Sequence, residues 1–295
     1  MKPDQLLSVA VALCLIEVTA ARVPGQAPAS QKPRTSDGDD EEKEPEQRMR
    51  LMRAMVEGVQ LYRLTNAKEV EVKLVENPLT HFNDGARRYQ DGTLWAFGRQ
   101  GRPTALVTCY TNDASTAVWW HAITSLSTDR LRAERKGQVV WSPEEPGVKF
   151  RSLADSLEPA AAERGRSLQI RNLARRFTAH QFWEPNNQRF ELRLLARPVH
   201  QYRDPESGLV DGAIFLFTHG INPELLLLLE AEKSNSSAKW QYALVRIGSA
   251  EFHAQLDGEE IWQEPRAPGV IGRPTDPYCM FRSLSSQLDE LKEKR

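Results

Sequence analysis

The feature of this sequence that most constrains its fold is a similarity between two stretches 120 residues apart. Residues 72–120 align with residues 192–240 without a gap, and nine of these 49 positions are identical, against about three expected from average residue usage. The identical pairs include Asp91/Asp211, Gly92/Gly212 and Trp120/Trp240. At a spacing of 121 residues Trp141 matches Trp262, and Phe-Arg-Ser-Leu occurs at both 150–153 and 281–284. This self-similarity predicts two copies of one structural unit.

Each predicted copy begins with apolar residues at helical spacing, which are Met52, Met55, Val56, Val59 and Tyr62 in one and Ile170, Leu173, Ala174 and Phe177 in the other. Runs rich in β-branched and aromatic residues follow, separated by turn signals such as Asp211-Gly212, Asp257-Gly258 and the stretch 219–223. We therefore predict an α+β fold: two tandem copies of a helix followed by an antiparallel β-meander, packed on each other. The copies span residues 47–158 and 166–295, with nine extra residues near 271–280 in the second.

The first 46 residues have the pattern of an exported protein. Residues 1–20 combine Lys2, an apolar run at 6–16 and Val18-Thr19-Ala20, which is the layout of a cleavable signal peptide. Residues 21–46 are rich in Pro, Ala, Ser and acids and predict a disordered acidic linker. We expect a secreted or periplasmic protein with no transmembrane segment in the mature chain. The net charge of -1 argues against a nucleic-acid partner.

Three stretches of the second copy resemble a known group of proteins. They are residues 192–202 (LRLLARPVHQY), 211–217 (DGAIFLF) and 222–230 (NPELLLLLE). They are similar to uncharacterised secreted proteins of planctomycete bacteria, a family of unknown function. The resemblance implies an extracytoplasmic bacterial setting and adds no catalytic residue.

Motifs of catalytic and metal sites are missing from the sequence. The six His do not recur between the copies, and no His or Cys pair has the spacing of a metal site, so we expect no metal and no cofactor. The shared Asp91 and Asp211 are interpreted as turn formers rather than paired acids. His219, at a predicted hairpin tip near Asp211 and Glu224, is the acid/base candidate, with an exposed turn histidine as the alternative.

The two cysteines of the mature chain leave two alternatives. Cys109 and Cys279 either form a disulfide, which an oxidising compartment favours, or stay free as a buried thiol and a tail thiol.

One aromatic residue stands out as a binding candidate. Trp119 lies beside Trp120, and in the gapless alignment it matches Lys239, which places Trp119 on the face that is usually exposed to solvent. Its ring is then either covered by the other copy or available to a partner.

We predict a non-enzymatic binding or scaffolding protein of the bacterial cell envelope, whose partner is an unknown envelope protein or a small ligand. The alternatives are a hydrolase with a site between the copies and a carrier of a lipid or other apolar ligand. An enclosed apolar pocket favours the carrier, a cleft with convergent His and carboxylates favours the hydrolase, and exposed aromatic residues favour binding.

Overall fold

The computed structural model describes residues 38–66, 68–84, 89–111, 118–183, 186–234, 237–269 and 271–285. The signal-peptide region lies outside these ranges. Helix α1 spans Gly38–Glu57 and therefore begins inside the acidic segment, and α2 spans Glu163–Ala174. The strands up to α2 are β1 (Val59–Leu64), β2 (Glu69–Val72), β3 (Thr80–Asp84), β4 (Tyr89–Phe97), β5 (Ala105–Thr111), β6 (Val118–Ser125), β7 (Arg130–Arg135), β8 (Gln138–Trp141) and β9 (Arg151–Ser152).

Nine further strands follow α2. They are β10 (Phe177–Trp183), β11 (Gln188–Leu194), β12 (His200–Asp204), β13 (Leu209–His219), β14 (Asn222–Ser234), β15 (Ser237–Arg246), β16 (Glu251–Leu256), β17 (Glu259–Glu264) and β18 (Tyr278–Leu284). Below, "first half" means residues 47–158 and "second half" means residues 166–285.

The predicted α+β class is wrong, because the structure is mostly β. Of the described residues, 55% are in strands and 13% are helical; they form two α-helices, antiparallel sheets and a half-barrel, and not a series of helix–strand repeats. Both helices end earlier than the sequence pattern predicts. Tyr62 and Phe177, assigned to helical stripes, lie in β1 and β10, since an apolar residue that continues a helical period can equally begin a buried strand.

Three antiparallel sheets make up the described part of the protein. One has the order β2-β1-β7-β8, the second β18-β6-β5-β4-β3, and the third β17-β16-β10-β11-β13-β14-β15-β9 with β12 beside β13. Both the four-stranded and the five-stranded sheet contribute to the core around α1, which includes Met52, Leu61, Trp95, Trp119 and Trp141. The nine-stranded sheet packs in the same way on α2.

The two halves share their strand pairings. In the first, β1 pairs with β2 and β7, and β3 to β6 pair in chain order. In the second, β10 pairs with β11 and β16, and β12 to β15 pair in chain order. The last strand of each half pairs with the other half, β9 with β15 and β18 with β6. Descent from a duplicated unit stays a prediction.

A third apolar cluster joins the halves. It consists of the remaining faces of the two larger sheets and includes Leu94, Leu106, Ile214, Leu226 and Val245, all buried. The interior between these sheets is therefore filled by side chains.

Two of the three predicted turns are confirmed. Asp257-Gly258 connects β16 to β17, with positive φ at both residues, and Gly220 lies at the turn between β13 and β14. Asp211-Gly212 is not a turn, because it lies inside β13. No helix among the described residues is long and apolar enough to cross a membrane.

Candidate functional site

An open cleft of about 220 Å³ lies where the five-stranded sheet meets the second half. Its apolar lining comes from both halves and includes Phe82, Tyr110, Trp120, Trp183, Tyr278 and Met280. Its polar lining includes Thr108, Asn222, Glu224 and Ser249. Below, "the cleft" means this space.

One cross-strand row forms the aromatic side of the cleft. Phe82 on β3 pairs with Gly92 on β4, Gly92 pairs with Tyr110 on β5, and Tyr110 pairs with Trp120 on β6. Directly opposed residues point to the same face of a sheet, so the three rings share one face. A Cβ at Gly92 would lie 2.5 Å from the Phe82 ring. Glycine is therefore what lets that ring lie across β4.

Trp120 is the most accessible ring of this row. It is half-buried, and among the described residues it makes no hydrogen bond, ring stack or cation–π contact. Trp95 and Trp119, by contrast, are fully buried, and their indole N–H groups donate to Thr93 and Ser285. Trp120 therefore offers a free indole face and a free N–H to the cleft.

The matching row of the second half is closed by polar contacts. Tyr202, Gly212, Glu230 and Gln241 occupy the places of Phe82, Gly92, Tyr110 and Trp120. The Tyr202 hydroxyl donates to Glu230 Oε1 at 2.8 Å, and Gln241 Nε2 donates to Glu230 Oε2 at 3.2 Å. Arg102 reaches over from the first half and places Nη1 3.4 Å from both carboxylate oxygens.

Burial dominates the electrostatics of this closed row. Burial raises the pKa of Glu230, while the nearby Arg102 guanidinium opposes the rise. Burial, followed by the charge of Glu230, raises the pKa of Tyr202 well above its usual value. The Arg102 guanidinium also lies 4.7 Å from the Phe150 ring centroid. The space equivalent to the cleft is thus occupied by side chains.

The polar wall of the cleft is partly pre-organised. Asn222 Nδ2 donates to Glu224 Oε1 at 2.9 Å, which fixes the amide. A Cβ at Gly248 would lie 2.4 Å from Glu224 Oε2, so glycine leaves room for the carboxylate. The Ser249 hydroxyl has no hydrogen-bond partner among the described residues. The wall therefore presents a fixed amide and a free hydroxyl beside the rings.

A larger groove of about 550 Å³ has a different character, because two arginines that line it are held by contacts within the protein. Arg246 is buried and donates to the carbonyls of Gly248, Ala250 and Pro265. Arg273 pairs with Asp276 at 3.0 Å. These contacts hold loops together, so the cleft is the better candidate for a ligand site.

Trp119, predicted as a binding residue, is fully buried in the core around α1. The alignment that placed it on the solvent face was wrong by one residue. Cys109 pairs with His121 on β6, and Leu229 pairs with Tyr242 on β15. Cys109 and Leu229 are 120 residues apart, whereas His121 and Tyr242 are 121 apart. Trp119 therefore matches the buried Trp240, and Trp120 matches Gln241.

His219 lies at the end of β13, where its ring contacts Phe190 at 4.9 Å. It does not line the cleft. Asp211 lies near the other end of the same 11-residue strand, about 26 Å away at a rise of about 3.3 Å per residue. The structure therefore separates His219 from Asp211. Glu224, the other acidic neighbour in the sequence, lies on β14, lines the cleft and accepts a hydrogen bond from Asn222.

The disulfide between Cys109 and Cys279 is not formed, since both are free and buried. Cys109 lies on β5 opposite His121, and Cys279 lies on β18 opposite Ile123. The two cysteines are separated by β6 and hence by two strand spacings, about 9.6 Å, beyond the Cα limit of about 7 Å for a disulfide. Burial raises the pKa of both thiols, to about 11 at Cys279.

Asp91 and Asp211 are not turn formers, because both lie in strands and pair with a helix arginine. Arg48 Nε lies 3.1 Å from Asp91, and Arg166 Nε lies 3.0 Å from Asp211. Both aspartates are buried, so each ion pair fastens a helix to its sheet. The signal was present in the sequence, since Arg48 and Arg166 are 118 residues apart, as are Met52 and Ile170.

His121, His180 and His253 take structural positions. His121 is fully buried, and burial lowers its pKa to about 3; its Nε2 lies 3.1 Å from Ser283 Oγ. His253 lies between Glu251 at 3.0 Å and Glu260 at 2.9 Å and stacks on His180 at 4.8 Å. No group of His, Cys, Asp and Glu in the described residues is arranged to hold a metal ion.

Comparison of the chain with protein-family models, with curated proteins and with solved structures finds no match. The site therefore has to be interpreted from its own chemistry. Sequence reasoning did not find the cleft or Trp120, because the gapless alignment assigned Trp120 to the shared core. Arg48 and Arg166 are 118 residues apart rather than 120. This difference already indicates that the offset between the halves varies along the chain.

Proposed function

We propose that this chain is a non-enzymatic, extracytoplasmic binding protein whose ligand occupies the cleft. The observation that carries the proposal is Trp120, an unpartnered ring on the open side of a row whose counterpart in the second half is closed. An aromatic residue left open next to convergent polar groups is typical of a binding site.

The lining of the cleft favours binding over hydrolysis. Its described residues include one carboxylate, Glu224, and no histidine. A glycoside hydrolase typically needs two carboxylates, and a nucleophilic hydrolase needs a base beside its nucleophile. The half-buried rings of Trp120 and Trp183 line the cleft and supply the accessible aromatic surface that favours binding.

Two further observations support the proposal. The space between the two larger sheets is filled by side chains, which favours a ligand at the surface over a lipid enclosed in the interior. The signal-peptide pattern of residues 1–20 supports a location outside the cytoplasm, and the resemblance to secreted planctomycete proteins agrees with it. Export is tested by sequencing the N-terminus of protein recovered outside the cytoplasm, which should lack about 20 residues.

The binding function is tested by closing the cleft. Asn222 matches Arg102 in the gapless alignment of 72–120 with 192–240, so Asn222→Arg should fill the cleft much as Arg102 fills its counterpart. Asn222→Ala keeps it open and is the matched control. Thermal unfolding of the three proteins is compared against a library of oligosaccharides, peptides, nucleosides and fatty acids.

A ligand at 100 times its Kd adds about 2.7 kcal/mol of stability, which raises Tm by roughly 5–10 °C in a protein of this size. We expect such a rise in the wild type, a smaller rise in Asn222→Ala, which loses the amide but keeps the cleft open, and none in Asn222→Arg. A ligand that stabilises all three proteins equally binds elsewhere and contradicts the proposal.

A further inference from the structure

We propose that the ligand of the cleft is an uncharged glycan, with one sugar ring stacked on Trp120. This inference rests on the proposed binding function and adds the chemical class of the ligand.

The first argument is charge. Glu224 is the one charged side chain among the described residues that line the cleft, in a chain of which 27% is charged. A site for phosphate, sulfate or carboxylate groups would present Arg or Lys side chains or a helix N-terminus. The described lining offers none of these, which argues against an anionic ligand. Glu224 is 3% exposed and already accepts a hydrogen bond from Asn222, so it does not present an open charge to a cation. We therefore infer an uncharged ligand.

The second argument is the combination of a ring face with hydrogen-bonding groups. A pyranose has an apolar face of C–H groups and a rim of hydroxyls, each of which both donates and accepts hydrogen bonds. Trp120 supplies a free aromatic face, whereas Trp183 carries the Arg266 guanidinium 4.6 Å from its ring centroid. The Asn222 amide and the Ser249 hydroxyl supply donors and acceptors beside the rings. A purely apolar ligand would leave these polar groups unpaired, which costs free energy.

The third argument is size and access. A volume of about 220 Å³ holds about seven water molecules at about 30 Å³ each, which is comparable to one sugar ring with its hydroxyls. The cleft is open, so neighbouring sugars of a longer chain can extend into solvent.

The experiment is a titration, by calorimetry, with maltotriose, cellotriose, xylotriose and the trisaccharide of N-acetylglucosamine. Trigalacturonate serves as the charged comparison and N-phenyl-1-naphthylamine as the apolar one. We expect at least one neutral trisaccharide to bind with a Kd of about 1 mM or tighter. Trp120→Ala should weaken binding about tenfold or more. Trp262→Ala, which alters a tryptophan outside the cleft, should leave it unchanged.

Trp120→Gln is the second variant, because glutamine is the residue that the second half carries at this position. Melting curves of all variants confirm folding before titration. If no neutral trisaccharide binds, or if trigalacturonate binds as well as the best of them, the glycan proposal is overturned. Trp120-dependent binding of the naphthylamine or of a peptide would then still support the binding function. Absence of any Trp120-dependent ligand would overturn both.

Discussion

Adjacent tryptophans on β6 should lose very different amounts of stability on the same substitution to lysine. Trp119 is fully buried, and its Nε1 donates to Ser285 Oγ at 2.9 Å. Burial of a tryptophan removes roughly 200 Å² from water, worth about 5 kcal/mol at about 25 cal/mol per Å². Loss of the hydrogen bond adds about 1 kcal/mol. In Trp119→Lys, the aliphatic stem of the new lysine recovers part of the packing, but its ammonium group must reach water.

We therefore expect Trp119→Lys to lower the free energy of unfolding by about 4 kcal/mol, within the range of about 3–5 kcal/mol seen for truncation of buried aromatic residues. Trp120→Lys, the matched control on the half-buried neighbour, should cost about 1 kcal/mol or less. Urea unfolding followed by far-UV circular dichroism measures both, since tryptophan fluorescence would change with the substitution itself.

With an m-value of about 3 kcal/mol per M, the midpoint of Trp119→Lys should fall by roughly 1.3 M. A loss below about 1 kcal/mol for Trp119→Lys would refute the assignment of Trp119 to the core. A larger loss for Trp120→Lys than for Trp119→Lys would show that the register of β6 is misplaced, and the cleft as described would not exist.

Three further predictions concern the supporting structure. Hydrogen bonds to its two flanking glutamates raise the pKa of His253 against the opposing effect of burial; its contribution to stability is therefore complete below the unfolded pKa of about 6.5 and lost as pH rises through the folded value. His253→Gln should accordingly destabilise the protein more at pH 5.5 than at pH 8.5, and an equal effect at both would contradict this. Unreduced protein that lacks the first 20 residues should show two free thiols when it is unfolded, from Cys109 and Cys279. A titration that finds no free thiol would indicate a disulfide. Gly212→Ala should cost about 1–3 kcal/mol, because the new Cβ would lie 2.4 Å from the Tyr202 ring; an unchanged melting temperature would refute that contact.

Local sequence patterns were sufficient to find most of the strands of the second half. The apolar-rich runs at 190–195, 199–203, 213–218 and 224–231 correspond to β11, β12, β13 and β14. Hairpin turns with positive φ were recognised at Gly220 and Gly258. These features depend on residues close together in the chain, which a turn motif or an apolar run reveals.

The first strand of each half was missed for a related reason. Val59 and Phe177 follow their helices directly, and both continue the apolar period of the helix. Their hydrogen-bond partners are on β7 and β16, more than 70 residues further along the chain. Where local preference is ambiguous, such distant pairing decides between helix and strand.

By itself, the sequence determined where apolar runs and turns fall, because these follow from the chemistry of neighbouring residues. Only the tertiary structure decided that β9 and β18 pair with opposite halves, and that Trp119 faces the core while Trp120 faces the cleft. The physical reason is the two-residue period of a strand: a shift of one residue in the alignment moves every side chain to the other face. That shift exchanges a core tryptophan for one that lines the cleft, and the pairing of β5 with β6 reveals it.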